Sequence, residues 1–268
     1  MKNYLFVVMF LLSVSVFAQD LSEGLQAKNN GNEAFRNKNY VEAINQWEKY
    51  LNSGEEGIAD DINTKSLYTS SFKYAASEFL KQKDYESAFS YLEKYLAKGG
   101  EEAANDGSTA FNMALAASKM NKNDVAMSYF QKSIELKYKE DICALYMADI
   151  YKEAGKEDKM QEVLIDAIAK YPDSKNLPKM LKMLTAPMLN KASVPFNEAN
   201  ELAKAASTGK PEDYLKNMEL AVAKFTQAIP LFQDVLKYDA LNEIANSYLK
   251  TCNDNIQSFN DYKASIKK

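Results

Sequence analysis

Asp84-Tyr85-Glu86-Ser87-Ala88-Phe89-Ser90-Tyr91-Leu92-Glu93-Lys94-Tyr95-Leu96 answers, 45 residues on, to Asn39-Tyr40-Val41-Glu42-Ala43-Ile44-Asn45-Gln46-Trp47-Glu48-Lys49-Tyr50-Leu51. Two further phrases align with them: Asp124-Val125-Ala126-Met127-Ser128-Tyr129-Phe130, leading into Ile134, and Lys159-Met160-Gln161-Glu162-Val163-Leu164, leading into Ile168. Each places a small or slim residue, then a bulky one four positions later, then another core position three after that. Steps of four and three return to one face of an α-helix. The slim anchors Ala43, Ala88, Ala126 and Met160 are separated by 45, 38 and 34 residues. Polar, glycine-bearing loops near residues 54–61 and 99–107 are expected to absorb the surplus over 34.

A second apolar helix precedes each phrase. Phe72, Ala76 and Phe79 form its inner face in the second unit. Ala110, Met113, Ala114 and Ala117 do so in the third, and Ala144, Met147, Ala148 and Tyr151 in the fourth. Gly155 ends that last helix, and Pro172 follows the fourth unit.

The pattern resembles the tetratricopeptide repeat family. In that family a small residue in each helix of a pair lets the two approach closely. Gly31, Ala76, Ala114 and Ala148 take the first role, and Ala43, Ala88 and Ala126 the second, with Met160 departing from it. The bulky position falls on Trp47, Leu92, Phe130 and Leu164; Ala167 is a later core position, and Pro172 matches the terminating proline. One helix pair cannot bury its apolar face alone, and stacking buries it. The resemblance implies an all-α fold: an open solenoid of antiparallel helix pairs, a superhelix of about five to six pairs with a C-terminal capping helix. Four pairs are expected over 19–174, and degenerate repeats with a cap over 175–268. There Pro195 is expected to open a helix at its first turn. Residues 241–250 and 256–267 are expected to make a last pair, and Pro230 to bend or break the run 214–238.

The resemblance also implies an inner groove. Lys28 and Asn32 stand where some family members clamp a peptide's terminal carboxylate, and Lys73 lies on the same face. Tyr74, Ser108 and Asn112 depart from the rest of that clamp. Phe111, Leu115 and Leu145 fall on groove-lining positions and suit an extended or helical apolar segment. These six, Lys28, Asn32, Lys73, Phe111, Leu115 and Leu145, are the candidate partner-binding residues, for an unidentified protein or peptide.

Composition narrows the chemistry. The chain has no histidine, so the commonest general base and transition-metal ligand are missing. Its 33 basic residues include one arginine, Arg36, and the net charge is −4, a poor footing for nucleic acid. Glu55, Glu56, Asp60 and Asp61 lack the ligand alternation of a calcium loop and read as a solvated acidic loop. No catalytic residue, metal or cofactor is expected. Cys143 and Cys252 are expected to stay unpaired, the second in a turn before the final helix.

Lys2, the apolar run 4–17 and Ala18 read as a signal peptide at 1–18, cleaved before Gln19. The run is too short for a membrane span, which needs about 20 apolar residues. No cysteine near the cut offers lipid attachment. The Phe-Ala-Gln junction and the Lys/Asn-rich, Arg-poor usage resemble secreted proteins of the Bacteroidota, with the periplasm the expected location. The functional expectation is a non-catalytic interaction scaffold, with a self-associating structural protein as the alternative and an enzyme without histidine or metal behind it.

Overall fold

The structure is a computed structural model that describes residues 21–266. The expected leader at 1–18 lies outside the described residues. Within them the chain is all-helical, with eight helices in sequential pairs: α1 (Glu23–Arg36) with α2 (Tyr40–Leu51), α3 (Ile62–Lys81) with α4 (Tyr85–Ala104), α5 (Gly107–Lys119) with α6 (Asn123–Glu135), and α7 (Glu140–Glu153) with α8 (Glu157–Lys170). Three longer helices follow, α9 (Leu177–Thr208), α10 (Tyr214–Tyr238) and α11 (Glu243–Ser265). The expected all-α class is what the described residues form, with four sequential helix pairs ahead of the three longer helices. The described residues divide into two compact units between residues 116 and 117, inside α5.

The turn inside each pair has one design. Lys38, Lys83, Asn121 and Gly155 adopt the left-handed conformation, at φ 60°, 62°, 59° and 67°. The next amide then folds back onto the first helix: Asn39 N–H donates to the Ala34 carbonyl at 2.8 Å, and Asp84, Lys122 and Lys156 repeat the bond at 2.9 Å. This is the Schellman closure, which satisfies carbonyls that a helix end leaves open. Asn39 and Asp84 then cap the second helix by accepting from Glu42 N–H and Ser87 N–H. These turns precede the slim anchors by five residues in every pair, so turn and anchor share one register.

In the first unit, α1 packs on α2, α2 on α3, and α3 on α4. Ala43, Ala76, Ala88, Trp47 and Leu92 are fully buried. Gly31 is buried under the indole of Trp47. The expected loop at 99–107 is largely helical. α4 runs to Ala104 with one break at Gly100 (φ 55°, ψ −140°), which turns Ala103 back into the core. Only glycine adopts that backbone without strain.

In the second unit, α6 packs on α7, α7 on α8, and α8 on α9. The Phe130 ring stacks on Tyr146 at 5.2 Å, and Phe130, Ala126, Ala148 and Leu164 are fully buried. α9, α10 and α11 form a bundle with α10 against both others. Ala192, Phe196 and Ala199 of α9, Phe225, Ala228 and Phe232 of α10, and Cys252 of α11 share its core.

Two expectations fail in this bundle, and of the bend or break expected at Pro230 the break does not occur. Pro195 does not open a helix; it lies inside α9, as does Pro187. Pro230 does not break α10, which runs unbroken from Tyr214 to Tyr238. Pro230 and the Thr226 carbonyl it orphans lie on the exposed face, where water can bond the freed oxygen. The buried stripe Phe225, Ala228, Phe232 and Val235 holds both sides of the proline on α9 and α11. In place of the expected last pair there is one helix, α11, so Cys252 sits inside it rather than in a turn. Both cysteines are free and buried.

Candidate partner-binding site

The groove lysines of the first two repeats turn inward. Lys28 on α1 pairs with Asp61 at 2.7 Å, and Tyr50 on α2 donates its hydroxyl to the same carboxylate at 2.9 Å. Asp61 also accepts from Thr64 N–H at 3.1 Å, capping α3. The Lys28 ammonium lies 5.2 Å from the centre of the Tyr50 ring. One carboxylate thus ties α1 and α2 to the start of α3.

The arrangement recurs 45 residues on. Lys73 pairs with Asp106, which accepts from Ser108 N–H at 2.9 Å and from the Thr109 hydroxyl at 2.8 Å. Lys73 faces the Tyr95 ring at 6.0 Å. In both repeats lysine and aspartate stand 33 residues apart. Burial alone would raise both aspartates; the hydrogen bonds they accept outweigh it. Asp61 is held well below the ordinary carboxylate range, and Asp106 falls to about 2. Asp61, with a side chain 13% exposed, is therefore a structural cap and not part of a solvated acidic loop. A later analogue is Asp141 on α7, which accepts from Ser174 Oγ at 2.5 Å and Asn176 Nδ2 at 2.9 Å. Beside it Tyr171 donates to Glu140 at 2.8 Å; burial and that carboxylate push its phenol up to about 12.

The other groove positions are also engaged. The Asn32 side chain accepts from the Trp47 indole N–H at 3.2 Å. Phe111 and Leu145 are buried, and Leu115 is half-buried. The structure therefore does not bring the six candidate residues together as one open surface. Ala114 and Ala167 are buried as well, while Pro172 is exposed just beyond α8.

An opening with room for a ligand lies within the second unit. A cleft of about 710 Å³ lies between α7, the start of α8 and the first half of α9. Met160, Met183 and Pro187 line its apolar part. Lys179 and Lys182 stand on the α9 wall, and Asp149, Lys152 and Glu157 on the opposite side. The overall charge of −4 hides the lysines of this wall. Residues 175–197 hold four lysines and no acid. Among the described residues no cluster of acids and cysteines suits a metal ion, and no helix is long and apolar enough to cross a membrane.

Residues 143–174, spanning most of α7 and all of α8, match the tetratricopeptide repeat family model. Solved structures similar to this chain include a tetratricopeptide repeats protein from Bacteroides fragilis (17% identity, covering 86% of this chain and 97% of that one, TM-score 0.40). Others are MamA (13% identity, 81% and 96%, TM-score 0.40) and YrrB, a tetratricopeptide protein with an unusual peptide-binding site (12% identity, 85% and 92%, TM-score 0.39). No curated protein matches it in sequence.

Proposed function

We propose that this chain is a non-catalytic, exported interaction scaffold that holds another protein in the periplasm, as an accessory subunit of a cell-envelope assembly or secretion complex. The observation that carries the reading is the open cleft formed where the matched tetratricopeptide repeat, α7 and α8, meets α9. The best-held carboxylates support it further. Asp61, Asp106 and Asp141 bond helix starts and neighbouring helices, so their lone pairs serve cohesion rather than proton transfer. The leader-like residues 1–18 support export.

Cell fractionation, N-terminal sequencing and affinity capture from envelope extracts test this together. The reading requires a periplasmic chain beginning at Gln19 that retains a second envelope protein in near-stoichiometric amount. A cytoplasmic chain with its leader intact, or turnover in a broad hydrolase screen, contradicts it.

A further inference from the structure

We infer that the cleft between α7, α8 and α9 takes an acidic segment of the partner, with an apolar side chain on the methionine floor and carboxylates against the α9 lysines. The inference rests on the proposed scaffold function and specifies the chemistry of what is held. Three observations carry it. The first is charge. Lys179 and Lys182 stand three residues apart on the first turns of α9, with Lys175 just ahead of the helix, in a chain of net charge −4. A helix start carries partial positive charge, so cations there are uncompensated and an anion is favoured. All three are exposed, and none joins an ion pair among the described residues.

The second observation is the floor. Met160 is 2% exposed, and Met183 and Pro187 are half-buried beside it. Thioether side chains adapt to varied apolar groups. The third is the backbone. Pro187 has no N–H, so the Met183 carbonyl four residues earlier lacks its usual helical donor. Both residues line the cleft, which offers an acceptor to a peptide amide. Asp149 and Glu157 on the far wall suit donors of the same segment. A peptide fits better than a membrane surface, because the floor lies within a cleft that a flat bilayer does not enter.

The purified full chain is titrated with a fluorescein-labelled peptide, Gly-Glu-Phe-Asp-Leu-Glu-Gly, and with a control carrying lysine at each acidic position. Anisotropy reports affinity, and methyl resonances of labelled methionines report place. The acidic probe should bind, weaken with salt, and shift Met160 and Met183. Lys179→Glu with Lys182→Glu, both on exposed sites, should weaken it at least about tenfold with an unchanged melting temperature. Equal binding of the lysine control, undiminished binding by the double variant, or shifts confined to other methionines would overturn the inference. So would lysine-dependent binding of phosphatidylglycerol vesicles in place of the peptide. If envelope capture finds a partner whose crosslinks avoid α9, the scaffold reading stands and this cleft assignment falls. If capture finds no partner, the scaffold reading itself fails.

Discussion

Gly31 lies so close to Trp47 that a Cβ built on the glycine would come within 2.5 Å of the indole. The indole is fully buried and its N–H is committed to Asn32, so it has little freedom to move. Gly31→Ala gains at most about 1 kcal/mol of helix propensity. Overpacking at a site this tight costs about 1–3 kcal/mol. The variant should be less stable in chemical denaturation, and equal or greater stability would contradict the contact.

The same logic applies at the slim anchors. Ala88 and Ala126 are fully buried, so Ala88→Arg or Ala126→Arg must bury a charge as well as overpack. Each should lose several kcal/mol. A wild-type melting curve for either would show that the repeat register is wrong.

Asp106 ties stability to pH. Its folded value, about 2, lies below the ordinary value of about 3.9, so the stabilisation is complete above roughly pH 5 and is lost as pH falls toward 2. Partial exposure of both Asp106 and Lys73 limits the pair to about 1 kcal/mol. Asp106→Asn should be less stable than wild type at pH 7, and the gap should narrow in denaturation curves taken down to pH 3. A constant gap would mean that the charge is not what matters.

Left-handed lysines are a correctable strain. Lys38 and Lys83 hold φ near 60°, where a side chain is disfavoured and glycine is not. Lys83→Gly and Lys38→Gly should each raise stability by about 0.5–1 kcal/mol in thermal melts. A loss would show that the side chains themselves contribute.

Pro230 sits on an exposed helix face and withholds one hydrogen bond from Thr226. Pro230→Ala should stabilise the chain, by up to about 3 kcal/mol. A destabilised variant would mean that the proline packs in a way its exposure does not suggest.

Cys143 and Cys252 are free and fully buried, and burial pushes the Cys252 thiol up to about 11. Ellman's reagent should find both thiols in unreduced, denatured protein and react slowly with the native chain. Absence of thiols after denaturation would indicate a disulfide.

The helix pairs were legible because small residues and bulky ones recur at helical spacing, a signal local to each helix. Ala43, Ala88 and Ala126 mark it without any knowledge of neighbours. Pro195 and Pro230 misled because their backbone cost is local, whereas the continuity of α9 and α10 is set by packing along their length. The groove lysines were placed on the correct helices, yet their partners Asp61 and Asp106 lie 33 residues away. The recurrence of Lys28, Tyr50 and Asp61 as Lys73, Tyr95 and Asp106 at an offset of 45 was the available clue. The cleft depends on how α7, α8 and α9 assemble, and only the acid-free run 175–197 hinted at it.

Crosslinking in intact cells followed by mass spectrometry tests the central claim most directly. The account predicts crosslinks from Lys179 or Lys182 to a second exported protein, at an acidic segment of its chain. Crosslinks found within this chain alone, or to copies of itself, would contradict a scaffold that holds a partner.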